Sequence, residues 1–372
     1  MVLQLGLVGL PNVGKSTLFN ALTQAGALVA NYPFTTIEPN IGVVAVPDAR
    51  LQRLAEIIQP DKVTPATLRV VDIAGLVKGA SQGEGLGNQF LSHIRGVDAV
   101  AMVVRCFQDE NVAHVTETLD PVADIETVEL ELMLDDLALL ERHQERLQTR
   151  AKGHAKEFEE QLAIVEGLLD TLRMGQPARR AALEPRQWAG EEYSPPLSDV
   201  ALLTAKPLLL VANVAEDDLP EGGPLAARVR AWAEAQGASS PIVLCAQMEA
   251  ELGAWPADDA AAYRAELGLS EPGLARFVRA GYALLDYITF FTTTGGKEVR
   301  AWTLQRGQTA LEAAGAIHTA MARGFIRAEV VGYEALAAAG SVAGARETGH
   351  LQLEGREYLV QDGDVLHIRF AI

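Results

Sequence analysis

Short runs of apolar residues recur along the chain, and segments with helical periodicity lie between them. Runs of this length are typical of buried strands in a sheet that is covered on both faces. The predicted strands lie at residues 3–8, 41–46, 68–75, 97–107, 208–212 and 242–246. The pattern therefore predicts an α/β fold with parallel strands.

The pattern becomes purely helical between residue 124 and about residue 172. Apolar residues recur there at intervals of three and four, with Gly153 between two such series, which predicts two long helices packed as a short antiparallel coiled coil. Residues 142–156 carry five basic side chains against one acidic one, which indicates either a solvated helix end or a contact with phosphates. The predicted seam comprises Leu130, Leu134, Leu137, Leu140, Phe158, Leu162, Val165, Leu169 and Leu172.

A separate unit begins near residue 288, where the pattern changes to two strands, a helix and further strands. This order predicts a small β-grasp sheet. The domain boundaries that follow are 1–123 with 200–285 for the α/β domain, 124–199 for a helical insertion and 286–370 for the β-grasp domain.

The turn after the first strand carries the pattern G-x-x-x-x-G-K-[ST] at residues 9–16. Between a strand and a helix, this pattern binds nucleotide phosphates, because its backbone N–H groups converge at the positive end of the helix. Lys15 is expected to contact the β- and γ-phosphates as a catalytic group, and the Ser16 hydroxyl is expected to bind Mg²⁺. The residues predicted to bind phosphate are Asn12, Val13, Gly14, Lys15, Ser16 and Thr17.

Two further segments are typical of nucleotide-dependent switches. Residues 31–40 contain two prolines and no regular period, which predicts a loop, and its Thr36 is expected to reach Mg²⁺ and the γ-phosphate. Asp72 begins a D-x-x-G pattern at the end of a strand and is expected to orient Mg²⁺ through water. Gly75 is expected to donate its N–H to the γ-phosphate.

The residue after Gly75 is Leu76, whereas many GTPases have there a glutamine that orients the attacking water. Hydrolysis by this chain therefore needs another group to position water. His114 lies in the loop after the strand at 97–107, and such loops face the ligand in this fold class. His114 is a candidate for this catalytic role, and a purely structural histidine is the alternative.

The chain after the strand at 208–212 occupies the place where guanine-binding proteins carry N-K-x-D. Asn213 keeps the asparagine, whereas Val214 and Glu216 replace the lysine and the aspartate. We expect all three residues to face the base. The stem of Glu216 is one methylene longer than that of aspartate, so its carboxylate is displaced from the guanine-reading position and ATP is favoured.

The composition of the chain mainly excludes some classes of protein. Apolar residues make up 49% of the 372 residues, and no uninterrupted apolar run is long enough for a membrane span. We expect no secretory signal, and the two cysteines, which lack ligand spacing, indicate a reducing compartment such as the cytoplasm. A net charge of −18 argues against non-specific coating of nucleic acid, although a local basic face is compatible with it.

These motifs together resemble those of the Obg-related P-loop NTPases and, within them, the Obg-like ATPases (YchF family). The resemblance covers nearly the whole chain. It implies a Ras-like domain interrupted by a helical coiled-coil insertion and followed by a TGS domain of β-grasp type. It rests on residues 9–17, 31–40, 72–77, 83–88, 295–302 and 361–364.

The resemblance implies ATP in preference to GTP, Mg²⁺, slow hydrolysis and association with the ribosome. It supports a catalytic His114, an N-x-x-E base element at Asn213 and Glu216, and use of K⁺ beside Asn12. We therefore predict a cytoplasmic, monomeric ATPase switch without membrane contact. Its coiled coil and TGS domain would bind the large ribosomal subunit or the whole ribosome. A GTPase of the same fold, and a ribosome- or RNA-binding adaptor with ATP as a structural ligand, are the alternatives.

Overall fold

The chain forms two compact units in a computed structural model. The structure describes residues 4–25, 40–73, 86–109, 119–152, 155–181, 200–293 and 296–371. The described residues of the N-terminal unit lie within 4–25, 40–42 and 69–274, and those of the C-terminal unit within 43–68 and 275–371. Across these ranges, every helix is too short or too polar to cross a membrane.

The secondary structure alternates strands and helices through most of the chain. The strands are β1 Gln4–Val8, β2 Asn40–Ala45, β3 Lys62–Thr64, β4 Thr67–Asp72, β5 Ala99–Cys106, β6 Leu208–Val214, β7 Ile242–Leu244, β8 Tyr287–Thr293, β9 Glu298–Gln305, β10 Phe325–Gly332, β11 Gln352–Glu354 and β12 Asp364–Phe370. The helices are α1 Lys15–Ala25, α2 Ala49–Ile58, α3 Leu86–Arg95, α4 Pro121–Ala151, α5 Ala155–Arg173, α6 Gly223–Ala235, α7 Ala246–Leu252, α8 Ala257–Glu266, α9 Gly273–Leu284, α10 Ala310–Ile317, α11 Thr319–Arg323, α12 Tyr333–Ala339 and α13 Val342–Glu347.

The first sheet has six strands in the order β2-β4-β1-β5-β6-β7. Strand β1 pairs in parallel with β4 and β5, and β5, β6 and β7 continue the parallel arrangement. Helices α1, α4 and α6 pack against β1, β5 and β6, and all eight residues of β5 are buried. Because such strands are apolar throughout, the apolar runs in the sequence correctly predicted them. The carboxyl ends of β1, β4, β5 and β6 consequently lie at one edge of the sheet.

Helices α4 and α5 form the predicted helical insertion. Asp120 caps α4, since its carboxylate accepts hydrogen bonds from the N–H groups of Val122 and Ala123, and Pro121 occupies the first turn. Arg173, at the end of α5, pairs with Glu141 on α4 at 3.1 Å, which is the arrangement of an antiparallel hairpin. An apolar cluster joins the two helices; its buried members on them are Leu140, Leu147, Ile164, Val165, Leu168, Leu169 and Leu172.

The predicted seam of α4 is wrong in its first half. Leu130 is 51% exposed and Leu134 is 37% exposed. Helix α4 also packs against β5 and α6, and a polar contact of Asp136 fixes its rotation. Asp136 is fully buried and accepts hydrogen bonds from the N–H groups of Leu203 and Thr204 at 2.8 and 2.7 Å and from the Thr204 hydroxyl at 2.6 Å. Apolar residues spaced by three and four show that one side of a helix is buried. They do not show whether that side packs against another helix or against a sheet.

The C-terminal sheet has the order β11-β10-β12-β8-β9-β3. Strands β8 and β9 form an antiparallel hairpin, β12 pairs in parallel with β8, and β10 pairs antiparallel with β12. Helix α10 covers one face, where Ala313 and Ala314 pack with Phe290, Leu304 and Leu366. This topology confirms the predicted β-grasp fold.

Strand β3 comes from the N-terminal half of the chain and extends the C-terminal sheet. It pairs in parallel with β9, and the Thr64 hydroxyl donates to the Glu298 carboxylate at 2.7 Å. Arg50, on α2, contacts Asp362 at 2.9 Å. Residues 43–68 therefore belong to the C-terminal unit, whereas the sequence-based boundaries assign them to the α/β domain. Pairing between strands more than two hundred residues apart leaves no periodic signal in the sequence.

Candidate functional site

The loop between β1 and α1 has the backbone conformation that its glycines predict. Asn12 and Gly14 have positive φ angles of 61° and 95°. A Cβ atom on Gly14 would lie 2.2 Å from Nδ2 of Asn213, and one on Gly9 would lie 2.4 Å from the carbonyl oxygen of Val103. Only glycine fits both positions, and the loop leads directly into the N-terminus of α1, where backbone N–H groups bind anions.

Lys15 lies inside the curve of this loop. Its Nζ donates to the carbonyl oxygens of Gly9 and Leu10, at 3.1 Å each, and the residue is only 7% exposed. Burial lowers the pKa of Lys15, and the nearby Asp72 carboxylate partly opposes that shift. The loop therefore holds one positive charge beside the N-terminus of α1, an arrangement that suits an anion such as a phosphate group.

Ser16 and Asp72 meet although 56 residues separate them. The Ser16 hydroxyl oxygen lies 3.5 Å from Oδ2 of Asp72, because β4 is the neighbour of β1 in the sheet. Burial raises the pKa of Asp72, whereas Lys15 and the Ser16 hydroxyl act in the opposite direction. A hydroxyl and a carboxylate are the hard oxygen ligands that Mg²⁺ prefers, so these side chains fit that ion. Among the residues predicted to bind phosphate, Asn12 and Ser16 are exposed and Thr17 is half-buried.

Three of the predicted site residues lie outside the described residues. They are Thr36, Gly75 and His114. Their predicted roles at Mg²⁺, at the γ-phosphate and at the attacking water therefore remain predictions.

Asn213 connects the phosphate loop to a neighbouring strand. Its Nδ2 donates to the carbonyl oxygen of Val13 at 2.9 Å, and its Oδ1 accepts from the N–H of Ala246 at 2.9 Å. Sequence reasoning placed Asn213 against the base but did not detect this connecting role. Val214 is 1% exposed and lies within the sheet, paired with Cys106.

Glu216 begins a short 3-10 helix, Glu216–Asp218, directly after β6. Its carboxylate accepts a hydrogen bond from the hydroxyl of Tyr263 on α8. Sequence reasoning missed Tyr263, since no motif marks the alanine-rich segment that contains it. Glu249, on α7, is also buried and accepts a hydrogen bond from the N–H of Gly273 at 2.6 Å.

Two family models match the chain. One, described as "50S ribosome-binding GTPase", matches residues 4–134, and the YchF GTPase C-terminal model, described as "Protein of unknown function", matches residues 287–371. Proteins named "Ribosome-binding ATPase YchF" are 49% identical in Bacillus subtilis, over 100% of both chains, and 47% identical in Escherichia coli O157:H7, over 99% of both. The solved structure of the Schizosaccharomyces pombe YchF GTPase is 35% identical, with a TM-score of 0.86, and the match covers 99% of this chain and 97% of that one.

The parallel sheet, the phosphate loop at the end of β1 and the contact between Ser16 and Asp72 define a P-loop nucleotide-binding protein with a β-grasp domain at its C-terminal end. The similarity to its relatives extends over the full length of the chain, including the helical insertion and the C-terminal sheet. The chain belongs to the YchF family.

Proposed function

We propose that this chain hydrolyses ATP to ADP and phosphate and that bound nucleotide switches its association with the ribosome. The observation that carries this proposal is the phosphate loop, which encloses Lys15 and places Ser16 beside Asp72. P-loop NTPases hold the β- and γ-phosphates and Mg²⁺ with such residues. The names of the bacterial relatives, which call them ribosome-binding ATPases, support the choice of substrate and of partner.

In this proposal each residue of the site has a separate task. Lys15 and the N–H groups of the loop bind the phosphate oxygens, and Gly75 donates to the γ-phosphate. Ser16 and Thr36, with Asp72 through water, would hold Mg²⁺, which neutralises charge on the phosphates. His114 orients a water molecule toward the γ-phosphorus. The bond between that phosphorus and the bridging oxygen of ADP breaks as the water adds, so phosphate leaves.

The base site supports ATP over GTP. Glu216 and Val214 replace the two side chains that define guanine-binding sites, and the short side chain of Val214 lacks the long stem with which lysine covers guanine. A GTPase is the second candidate function, because the Schizosaccharomyces pombe relative of known structure is named a GTPase. The two candidates differ only in the affinity for the base.

A basic face on α4 supports contact with the ribosome. Arg142, Arg146 and Arg150 recur every four residues, which places them on one side of the helix, and His143 lies beside them. These four side chains line a cavity of about 140 Å³ together with Leu147 and two other apolar residues. A row of guanidinium groups suits the phosphates of ribosomal RNA. The C-terminal β-grasp unit is the second proposed contact, and we place the protein in the cytoplasm as a monomer.

Affinity and turnover test the proposal. Dissociation constants for fluorescent ATP and GTP analogues are measured with Mg²⁺, and phosphate release is measured with and without purified ribosomes. Tighter binding of ATP, with turnover above that of a Lys15→Ala control, supports the ATPase. Tighter binding of GTP would identify a GTPase. Turnover equal to that of the control, even with ribosomes, would identify an adaptor that carries ATP as a structural ligand.

A further inference from the structure

The contact between Tyr263 and Glu216 joins helix α8 to the end of β6. We infer that Tyr263 is a positioning residue for base selection: it holds the Glu216 carboxylate and so lowers the affinity for GTP relative to ATP. The inference rests on the proposed function, because it places Glu216 at the base. Tyr263 lies 47 residues beyond Glu216 in the chain and belongs to no nucleotide-binding motif.

The ring of Tyr263 is anchored independently of Glu216. It packs against an apolar cluster formed by Cys245, Met248, Leu252, Ala260 and Leu269. The ring of Trp255 also lies beside it, tilted by 54° with its centroid 5.5 Å away. Since this packing holds the ring, the hydroxyl oxygen stays within reach of the Glu216 carboxylate.

The anchoring cluster is also continuous with the base side of the phosphate site. Cys245 is the residue before Ala246, whose N–H binds the side chain of Asn213. Asn213 in turn precedes Glu216 by three residues on the same strand end. Tyr263 therefore holds Glu216 from a packed body that already contacts the phosphate loop through Asn213.

The chemistry of the two bases gives the effect its direction. Guanine offers N1–H and N2–H₂ as donors, and a carboxylate binds it best when its oxygens are available to accept both. An ionised Glu216 has only acceptors, and the Tyr263 hydroxyl occupies one of them. The Glu216 carboxylate also raises the pKa of Tyr263, so the hydroxyl keeps its proton and remains a donor at neutral pH. Adenine offers a single donor group, at N6, beside an acceptor at N1 that repels a carboxylate, so it gains less than guanine does from a free carboxylate.

The test is Tyr263→Phe, which removes one oxygen and keeps the ring packing. The dissociation constant for a fluorescent GTP analogue should fall about tenfold relative to that for ATP, a change of about 1.4 kcal/mol. A ratio of the two constants that stays within about twofold of the unmodified protein would overturn the inference. If Tyr263 served only in packing, its replacement would lower the affinity for both nucleotides together and leave the ratio of the two dissociation constants unchanged.

A matched control is available in the C-terminal unit. Tyr358 donates its hydroxyl to Oδ2 of Asp364 at 2.9 Å, so Tyr358→Phe breaks the same kind of hydrogen bond. This variant should leave the ATP-to-GTP ratio unchanged. If it shifts the ratio as far as Tyr263→Phe does, the effect is not specific to Glu216 and the inference fails.

A double variant tests whether Tyr263 acts through Glu216. In a Glu216→Gln background, Tyr263→Phe should change the ratio by less than about twofold, because the charged acceptor is already absent. A full shift in that background would refute the coupling. Where Tyr263→Phe melts early, both nucleotide affinities are measured at a temperature below its melting point, with the same expectations for their ratio.

These outcomes separate this inference from the proposed function. Unmodified protein that binds GTP more tightly than ATP contradicts the proposed substrate, whatever Tyr263→Phe does. Unmodified protein that prefers ATP, with a ratio insensitive to Tyr263→Phe, contradicts only the role of Tyr263.

Discussion

Replacing Asn213 with alanine should reduce both stability and nucleotide affinity. The substitution removes the donor to Val13 and the acceptor for Ala246, two hydrogen bonds of 2.9 Å each. Val13 and Ala246 are both 1% exposed, so water cannot replace the lost partners without a rearrangement. The amide group also packs against Gly14, and its loss leaves a gap behind the phosphate loop.

The size of the effect follows from those two contacts. A buried polar group left without a partner costs about 1–3 kcal/mol, and two such groups give a loss of about 2–6 kcal/mol. For a unit of this size, each kcal/mol lowers the melting temperature by about 2–4 °C, so the expected decrease is about 4–24 °C. Because the loop loses one support, the affinity for ATP should fall as well.

Thermal unfolding followed by circular dichroism, at fixed pH and without nucleotide, measures the first effect, and titration with a fluorescent ATP analogue measures the second. Asn20→Ala is the matched control, since Asn20 is exposed on α1 of the same unit. Its effect on stability should stay within about 0.5 kcal/mol. If the Asn213→Ala variant has the same melting temperature as the Asn20→Ala control, the connecting role of Asn213 is refuted.

Three further outcomes follow from the proposed function. Charge reversal of Arg146, Arg150 and Lys152 to glutamate should weaken co-sedimentation with ribosomes, most clearly at low salt, and leave ATP affinity unchanged; unaltered co-sedimentation would exclude this surface. Replacing His114 with alanine should slow phosphate release with little change in ATP affinity, because a group that positions water acts in the transition state; a parallel loss of affinity would make His114 structural. Hydrolysis should be faster in K⁺ than in Na⁺ at matched ionic strength if the loop that contains Asn12 binds a monovalent cation, and equal rates would count against that ion.

Much of the fold could be predicted from local patterns. The apolar runs gave the strands of the parallel sheet because helices cover both of its faces. The order of elements after residue 288 gave the β-grasp sheet, and a continuous helical period gave α4 and α5. The phosphate loop was equally clear, since its spacing of glycines and Lys15 lies within eight residues and requires no distant partner.

The sequence by itself thus determined the strands, the helices and the phosphate loop, whose causes lie within a few residues of each other. The tertiary structure decided which elements pair and how side chains from distant segments meet. It placed β3 beside β9, turned α4 so that Leu130 faces solvent, and joined Asn213 to Val13 and Tyr263 to Glu216. The partners in these contacts are far apart in the chain. The separation is 47 residues between Tyr263 and Glu216, and it is 236 residues between Lys62 of β3 and Glu298 of β9. Chain separation of that size leaves no periodic trace, because the partners are brought together only when the sheets and helices pack.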